Sequence, residues 1–135
     1  MDTNPVVESL GFSGDMVVQE FGWDEDVDEV VREAIETACG QQMEYEDFQG
    51  VADGAIIWWR SDDGDVDALS DLMLDAMRNL DDGGVMWVLS PKASLPDHVP
   101  PRDIEEAAKA VGQHPTTSEV VSPNWSGIRI VSRGR

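Results

Sequence analysis

The chain has 135 residues, one cysteine, 41% hydrophobic residues and a formal charge of −19. Its length fits one domain, spanning 1–135, with an ordinary core, and its apolar share excludes a disordered acidic tail. A single cysteine excludes an internal disulfide, no apolar run reaches the ~20 residues of a membrane span, and the opening Met1-Asp2-Thr3-Asn4-Pro5 lacks the basic and apolar segments of a signal peptide; a cytoplasmic location is expected by elimination.

Asn4 and Pro5 can begin a short turn closed at Gly11. Residues 16–22 (MVVQEFG) form an apolar run of strand length. From Asp24 to Cys39, Val27, Val30, Val31, Ala34, Ile35 and Ala38 recur at helical spacing, with Asp24 as the expected N-cap and Gly40 as the stop. Residues 41–50 are ambiguous; Met43 and Tyr45 alternate with polar neighbours and allow a short edge strand. Residues 55–59 (AIIWW) and 85–89 (VMWVL) are continuous bulky runs of the kind buried on both faces of a parallel sheet. Between them, residues 65–80 carry a helical apolar stripe, and Gly83-Gly84 is the expected stop. Four prolines make residues 90–101 a loop, and Ile104, Ala107, Ala108 and Val111 then form a third helix ended by Gly112. Runs near 116–122 and 128–132, joined by Pro123-Asn124-Trp125-Ser126-Gly127, close the chain as an antiparallel pair. The alternation predicts an α/β fold: a small Rossmann-like, three-layer sandwich with a mostly parallel sheet and a C-terminal antiparallel hairpin.

Charge is unevenly distributed. Residues 1–82 hold 23 acids against three bases, a net of −20, and residues 83–135 hold five acids against six bases, a net of +1. Such a field repels nucleic-acid phosphate and anionic membranes, and favours basic protein surfaces as well as plain solubility. No glycine-rich phosphate-binding signature is present. Gly22 stands alone, and Asp24, Glu25 and Asp26 occupy the helix start where a phosphate would sit. His98, His114 and Cys39 are too far apart in sequence to suggest a zinc site, and His98 reads more readily as a loop residue than as a general base. The acidic runs at 24–28 and 62–67 lack the glycine and glutamate of an EF-hand loop and suit helix capping. No catalytic residue, metal or cofactor is expected from these patterns.

Of five tryptophans, Trp58, Trp59 and Trp87 fall in predicted buried strands, whereas Trp23 and Trp125 fall in loops and are candidates for a contact surface. Ligands of open α/β sheets bind outside the carboxyl ends of the strands. The loops expected there give a candidate crevice of Trp23, Asp24, Glu25, Asp26, Arg60, Asp62, Asp63 and Lys92, with Trp125 as a further contact residue. A capped, solvated rim is the alternative reading of the same residues.

Two segments resemble class I S-adenosylmethionine-dependent methyltransferases. Asp53-Gly54-Ala55-Ile56-Ile57-Trp58-Trp59 is similar to a strand following an aspartate in that fold, and residues 80–91 (LDDGGVMWVLSP) to its later segment of glycines, strand and proline. The glycine-rich cofactor loop is missing. A resemblance along nearly the whole chain is to an uncharacterised, mainly actinobacterial family, carried by residues 10–14 (LGFSG), 18–26 (VQEFGWDED), 58–65 (WWRSDDGD), 82–85 (DGGV), 91–93 (PKA) and 125–127 (WSG). It implies relatives without implying a reaction. The expected function is a non-catalytic binding or regulatory module using its acidic face on a basic protein partner. The alternatives are a small-molecule sensor or degenerate methyltransferase-like enzyme, and a nucleic-acid mimic.

Overall fold

The computed structural model describes residues 10–132; the expected turn begun at Asn4 lies almost wholly outside them. In chain order the elements are β1 (Val18–Phe21), α1 (Glu29–Cys39), β2 (Ala52–Trp58), a 3-10 turn (Ser61–Asp63), α2 (Val66–Asn79), β3 (Leu80–Pro91), α3 (Pro101–Ala110), β4 (Gln113–Val120) and β5 (Trp125–Ser132). The sheet has the order β1-β2-β3-β5-β4. β1, β2 and β3 run parallel, while β5 is antiparallel to both β3 and β4.

Local chemistry sets the helix ends. Val31, Ile35 and Cys39 recur every four residues and are all buried, so α1 presents one apolar stripe to the sheet. Its cap is Asp28, whose carboxylate accepts from the backbone N–H of Val30 and Val31, and not the expected Asp24. The difference follows from Val27, which is buried in the core: Asp24–Val27 folds as a turn that delivers this side chain before the helix begins. Gly40, at φ +75°, closes α1 by donating to the Glu36 carbonyl. Asp65 caps α2 through the Ala68 N–H. That helix ends at Asn79, earlier than the expected Gly83-Gly84 stop, and passes straight into β3. Between the pairs Ala52–Leu80 and Gly54–Val85, two steps along β2 match five along β3. The surplus residues bulge, leaving Asp81, Asp82 and Gly83 exposed.

Each sheet face carries its own core. On one, Ile56, Trp58, Trp87 and Leu89 pack with α1 and with Leu10 and Phe12. On the other, Ala55, Ile57, Met86 and Val88 pack with α2 and α3. Trp58 and Trp87 are fully buried, and the Trp87 Nε1–H donates to the Leu10 carbonyl, so the indole's one polar atom is satisfied inside the core.

The ambiguous stretch 41–50 has a topological role. Glu44 forms one parallel bridge with Gln19 on the free side of β1. Having crossed the α1 face to reach it, the chain returns towards β2 over the opposite face, where Asn79 at the end of α2 holds the Phe48 carbonyl. An outward step over one face and an inward step over the other have the same hand, as parallel crossovers require. The path along the sheet therefore reverses at β1. Reversal points are where α/β sheets open a crevice at their carboxyl edge, so the carboxyl end of β1 is the place to look for a site.

Gly22 follows β1 there with φ +77°, and a Cβ added to it would lie 2.2 Å from the Trp58 carbonyl oxygen. Left-handed backbone and a main-chain collision act together, so Gly22→Ala is expected to cost about 2–4 kcal/mol of stability. Urea denaturation measures this, and a loss below about 1 kcal/mol would contradict the close approach.

Candidate functional site

β1 is an apolar strand interrupted by Gln19 and Glu20, and its alternation sends the two to opposite faces. Gln19, on the α2 side, donates from Nε2 to the carbonyls of Tyr45 and Glu46 and accepts from Asn79. This fixes the returning segment against the sheet. Glu20, on the α1 side, has a side chain only 2% exposed. Its carboxylate accepts from Arg32 Nε at 2.7 Å, Arg32 Nη2 at 2.8 Å and Trp58 Nε1 at 2.8 Å. The hydrogen bonds that Arg32 donates to Glu20, with help from Glu29, outweigh burial and raise the Arg32 pKa further above its already high ordinary value.

These groups form one side of an open cleft of about 650 Å³ at the carboxyl end of β1. Glu20, Arg32 and Glu29 line it from β1 and α1, Trp23 from the loop after β1, and Tyr45, Glu46 and Asp47 from the returning segment. Trp23 and Tyr45 are 51% and 70% exposed, unusual for large aromatics. Four carboxylates face one guanidinium, leaving the lining at −3. Because Arg32 is bound to both Glu20 and Glu29, its charge is already committed.

Backbone donors around the cleft are also taken. The Gly22 N–H donates to Glu46 Oε2 at 2.7 Å, the Glu25 N–H to Asp24, and the first amides of α1 to Asp28. An anionic ligand needs such N–H groups; here the chain's own carboxylates occupy them.

The nine residues proposed from sequence divide into separate groups. Trp23 lines the cleft. Asp24 and Glu25 are exposed on the turn beside it. Asp26, Arg60, Asp63 and Trp125 come together in a different arrangement. Arg60 is 5% exposed, donates to Asp26, Asp63 and the carbonyls of Gly22 and Trp58, and lies 5.3 Å from the Trp125 ring centroid. Burial works against its charge, but Asp26 and then Asp63 overcome it and raise its pKa. Arg60 is therefore an internal tie between the ends of β1 and β2. Trp125 is no contact residue: it opens β5, is 4% exposed and packs edge-on against Trp58 with centroids 4.8 Å apart. Asp62 and Lys92 are exposed and away from the cleft. Glu20, Glu29, Arg32, Tyr45, Glu46 and Asp47 were not singled out. The available signal was Glu20, a carboxylate inside an apolar strand, which burial permits only with a partner.

Among the described residues no group of three or more His, Cys, Asp or Glu side chains is placed to hold a metal ion, and no helix is long and apolar enough to cross a membrane.

Residues 7–134 match a family model described as "Protein of unknown function (DUF3052)", and the chain belongs to that family. An uncharacterized protein of Mycobacterium bovis is 47% identical over 122 residues, covering 90% of this chain and 75% of the relative. An uncharacterized protein of Mycobacterium tuberculosis matches with the same identity and coverage. Among solved structures, the chain is similar to the magnesium protoporphyrin IX methyltransferase of Synechocystis PCC 6803 with bound SAM. The TM-score is 0.61 at 13% identity, over 96% of this chain and 77% of that one. It is also similar to an O-methyltransferase from neocarzinostatin biosynthesis, with a TM-score of 0.67 at 13% identity over 93% of this chain and 50% of that one. At such identity the likeness is one of fold: a mixed α/β sheet of the methyltransferase type.

Proposed function

We propose that this member of the family is a non-catalytic binding module whose cleft at the carboxyl end of β1 receives a cationic side chain from a basic protein surface. The observation that carries this reading is the cleft's composition. Its lining stands at −3, its one guanidinium is already paired, and two exposed aromatic side chains offer faces to a cation. The surrounding charge of −20 over residues 1–82 adds long-range attraction for a basic partner.

A hexa-arginine peptide titrated by tryptophan fluorescence tests the reading. Binding should be saturable at low salt and weaken steadily as salt rises. Trp23→Ala and Tyr45→Ala should each loosen it by about 2- to 5-fold, the equivalent of one exposed cation–π contact. No binding at low salt, or an affinity unchanged from the parent in both variants, would remove the proposal.

The fold and the position of the cleft favour a second reading, a small-molecule sensor or degenerate methyltransferase that takes S-adenosylmethionine. The residues do not fit that cofactor's amino-acid end. Its carboxylate would need the Gly22 amide that Glu46 occupies, and only one glycine stands in the loop. Asp53, the aspartate of the resembling segment, lies at the amino end of β2, where its carboxylate accepts from the Val17 N–H. It is thus on the far edge from the cleft. Calorimetry with S-adenosylmethionine separates the readings: saturable binding abolished by Gly22→Ala would favour the sensor.

A further inference from the structure

A second cavity, of about 490 Å³, lies on the other face of the sheet, between α3 and the β4–β5 pair. Its volume falls within the range of small-molecule pockets. Val99, Ile104 and Ile128 give it a branched aliphatic floor, and all three are at most 9% exposed. Ser90, the second-last residue of β3 at its carboxyl edge, is 5% exposed and opens onto the cavity. Its hydroxyl is open to the cavity and bonded to no side chain or backbone group among the described residues.

The His98 imidazole borders the same cavity. Its Nδ1 lies 2.8 Å from the Pro91 carbonyl oxygen. A carbonyl can only accept, so Nδ1 carries the proton, and in the neutral ring Nε2 is left as an acceptor. The cavity therefore offers an acceptor nitrogen and a hydroxyl that can donate or accept, set against an aliphatic floor. Glu105 and Glu119 also border it, which disfavours an anionic ligand. Among the described residues no tryptophan, tyrosine or phenylalanine lines it, so it lacks the aromatic faces that suit the β1 cleft to a cation.

We infer that this cavity is a binding site for a small, neutral alcohol with an apolar body, such as a phenol. The apolar body lies on Val99, Ile104 and Ile128, and the hydroxyl donates to His98 Nε2 and accepts from Ser90 Oγ. The site is separate from the β1 cleft and does not depend on what that cleft binds.

Amide NMR titration of the full chain with 2-naphthol, naphthalene and 2-naphthoate tests this. 2-Naphthol should bind saturably, with shifts at Ser90, Val99 and Ile128. Naphthalene, lacking the hydroxyl, should bind about 5- to 10-fold more weakly, as should 2-naphthoate, which is anionic at neutral pH. Ser90→Ala should cost 2-naphthol about 3- to 10-fold and leave naphthalene unchanged. His98→Leu should act in the same way; since His98 also holds the Pro91 carbonyl, the Ser90 variant decides if that one fails to fold. Absence of saturable 2-naphthol binding, equal affinity for 2-naphthol and naphthalene, or an equal loss of both ligands in Ser90→Ala would each overturn the proposal.

Discussion

Arg60→Ala is expected to lower the unfolding free energy by about 3 kcal/mol, measured by urea denaturation. The guanidinium is nearly enclosed and joins four partners: Asp26, Asp63 and the carbonyls of Gly22 and Trp58. Its removal strips those carbonyls of a donor and takes the charge off the Trp125 face. Breaking a buried ion pair by deleting one member costs about 3–5 kcal/mol. The lower end applies because the Asp26 and Asp63 side chains are 49% and 35% exposed and rehydrate. Arg60→Lys keeps the charge but loses the planar fork that reaches both carboxylates and carbonyls, so about half of the loss should remain. If lysine restored full stability, charge alone would account for the tie and the hydrogen-bond geometry would not.

The same residue shows what could be read from the amino-acid sequence. The order of strands and helices, the parallel core runs and the stop at Gly40 are local matters of periodicity and end chemistry, and the structure has them where the sequence placed them. Trp58 and Trp87 are buried as their strands require, and Trp59, one residue past the end of β2, is buried too. Arg60 stands at the carboxyl edge, where the sequence puts it in the candidate crevice, but its enclosure could not be read, because sequence does not show that Asp26, 34 positions earlier, meets it. Trp125 was read as a loop residue for a related reason: its burial depends on Trp58 across the sheet. The cleft was harder still. Its lining comes from β1, α1 and a segment whose only regular contact is one parallel bridge, and a single bridge has no periodicity to detect. Acidity concentrated in the first 82 residues was visible throughout. What the fold adds is that two of those acids, Glu20 and Glu46, are fastened to specific donors beside two open aromatic faces.

Glu20→Ala should lower stability by about 4 kcal/mol. Three donors converge on this carboxylate, and its loss leaves the Trp58 Nε1–H buried without a partner, at about 1–3 kcal/mol. It also leaves the Arg32 guanidinium, 17% exposed, with only Glu29 in contact. Removing both members of a buried pair is far less harmful than removing one, so Glu20→Leu combined with Arg32→Leu should recover most of the deficit and retain about 1–2 kcal/mol from the orphaned indole. The pair of variants also separates fold from function. Glu20→Ala reduces the cleft lining from −3 to −2 and should weaken hexa-arginine binding, whereas the double substitution removes one charge of each sign and keeps it at −3. Hexa-arginine affinity close to the parent in the double variant would mean that the cleft acts through its net charge and its aromatic faces. If affinity fell as far as in Glu20→Ala while stability recovered, the Glu20–Arg32 pair itself would be part of the binding surface, and the cleft would recognise a shape as well as a charge.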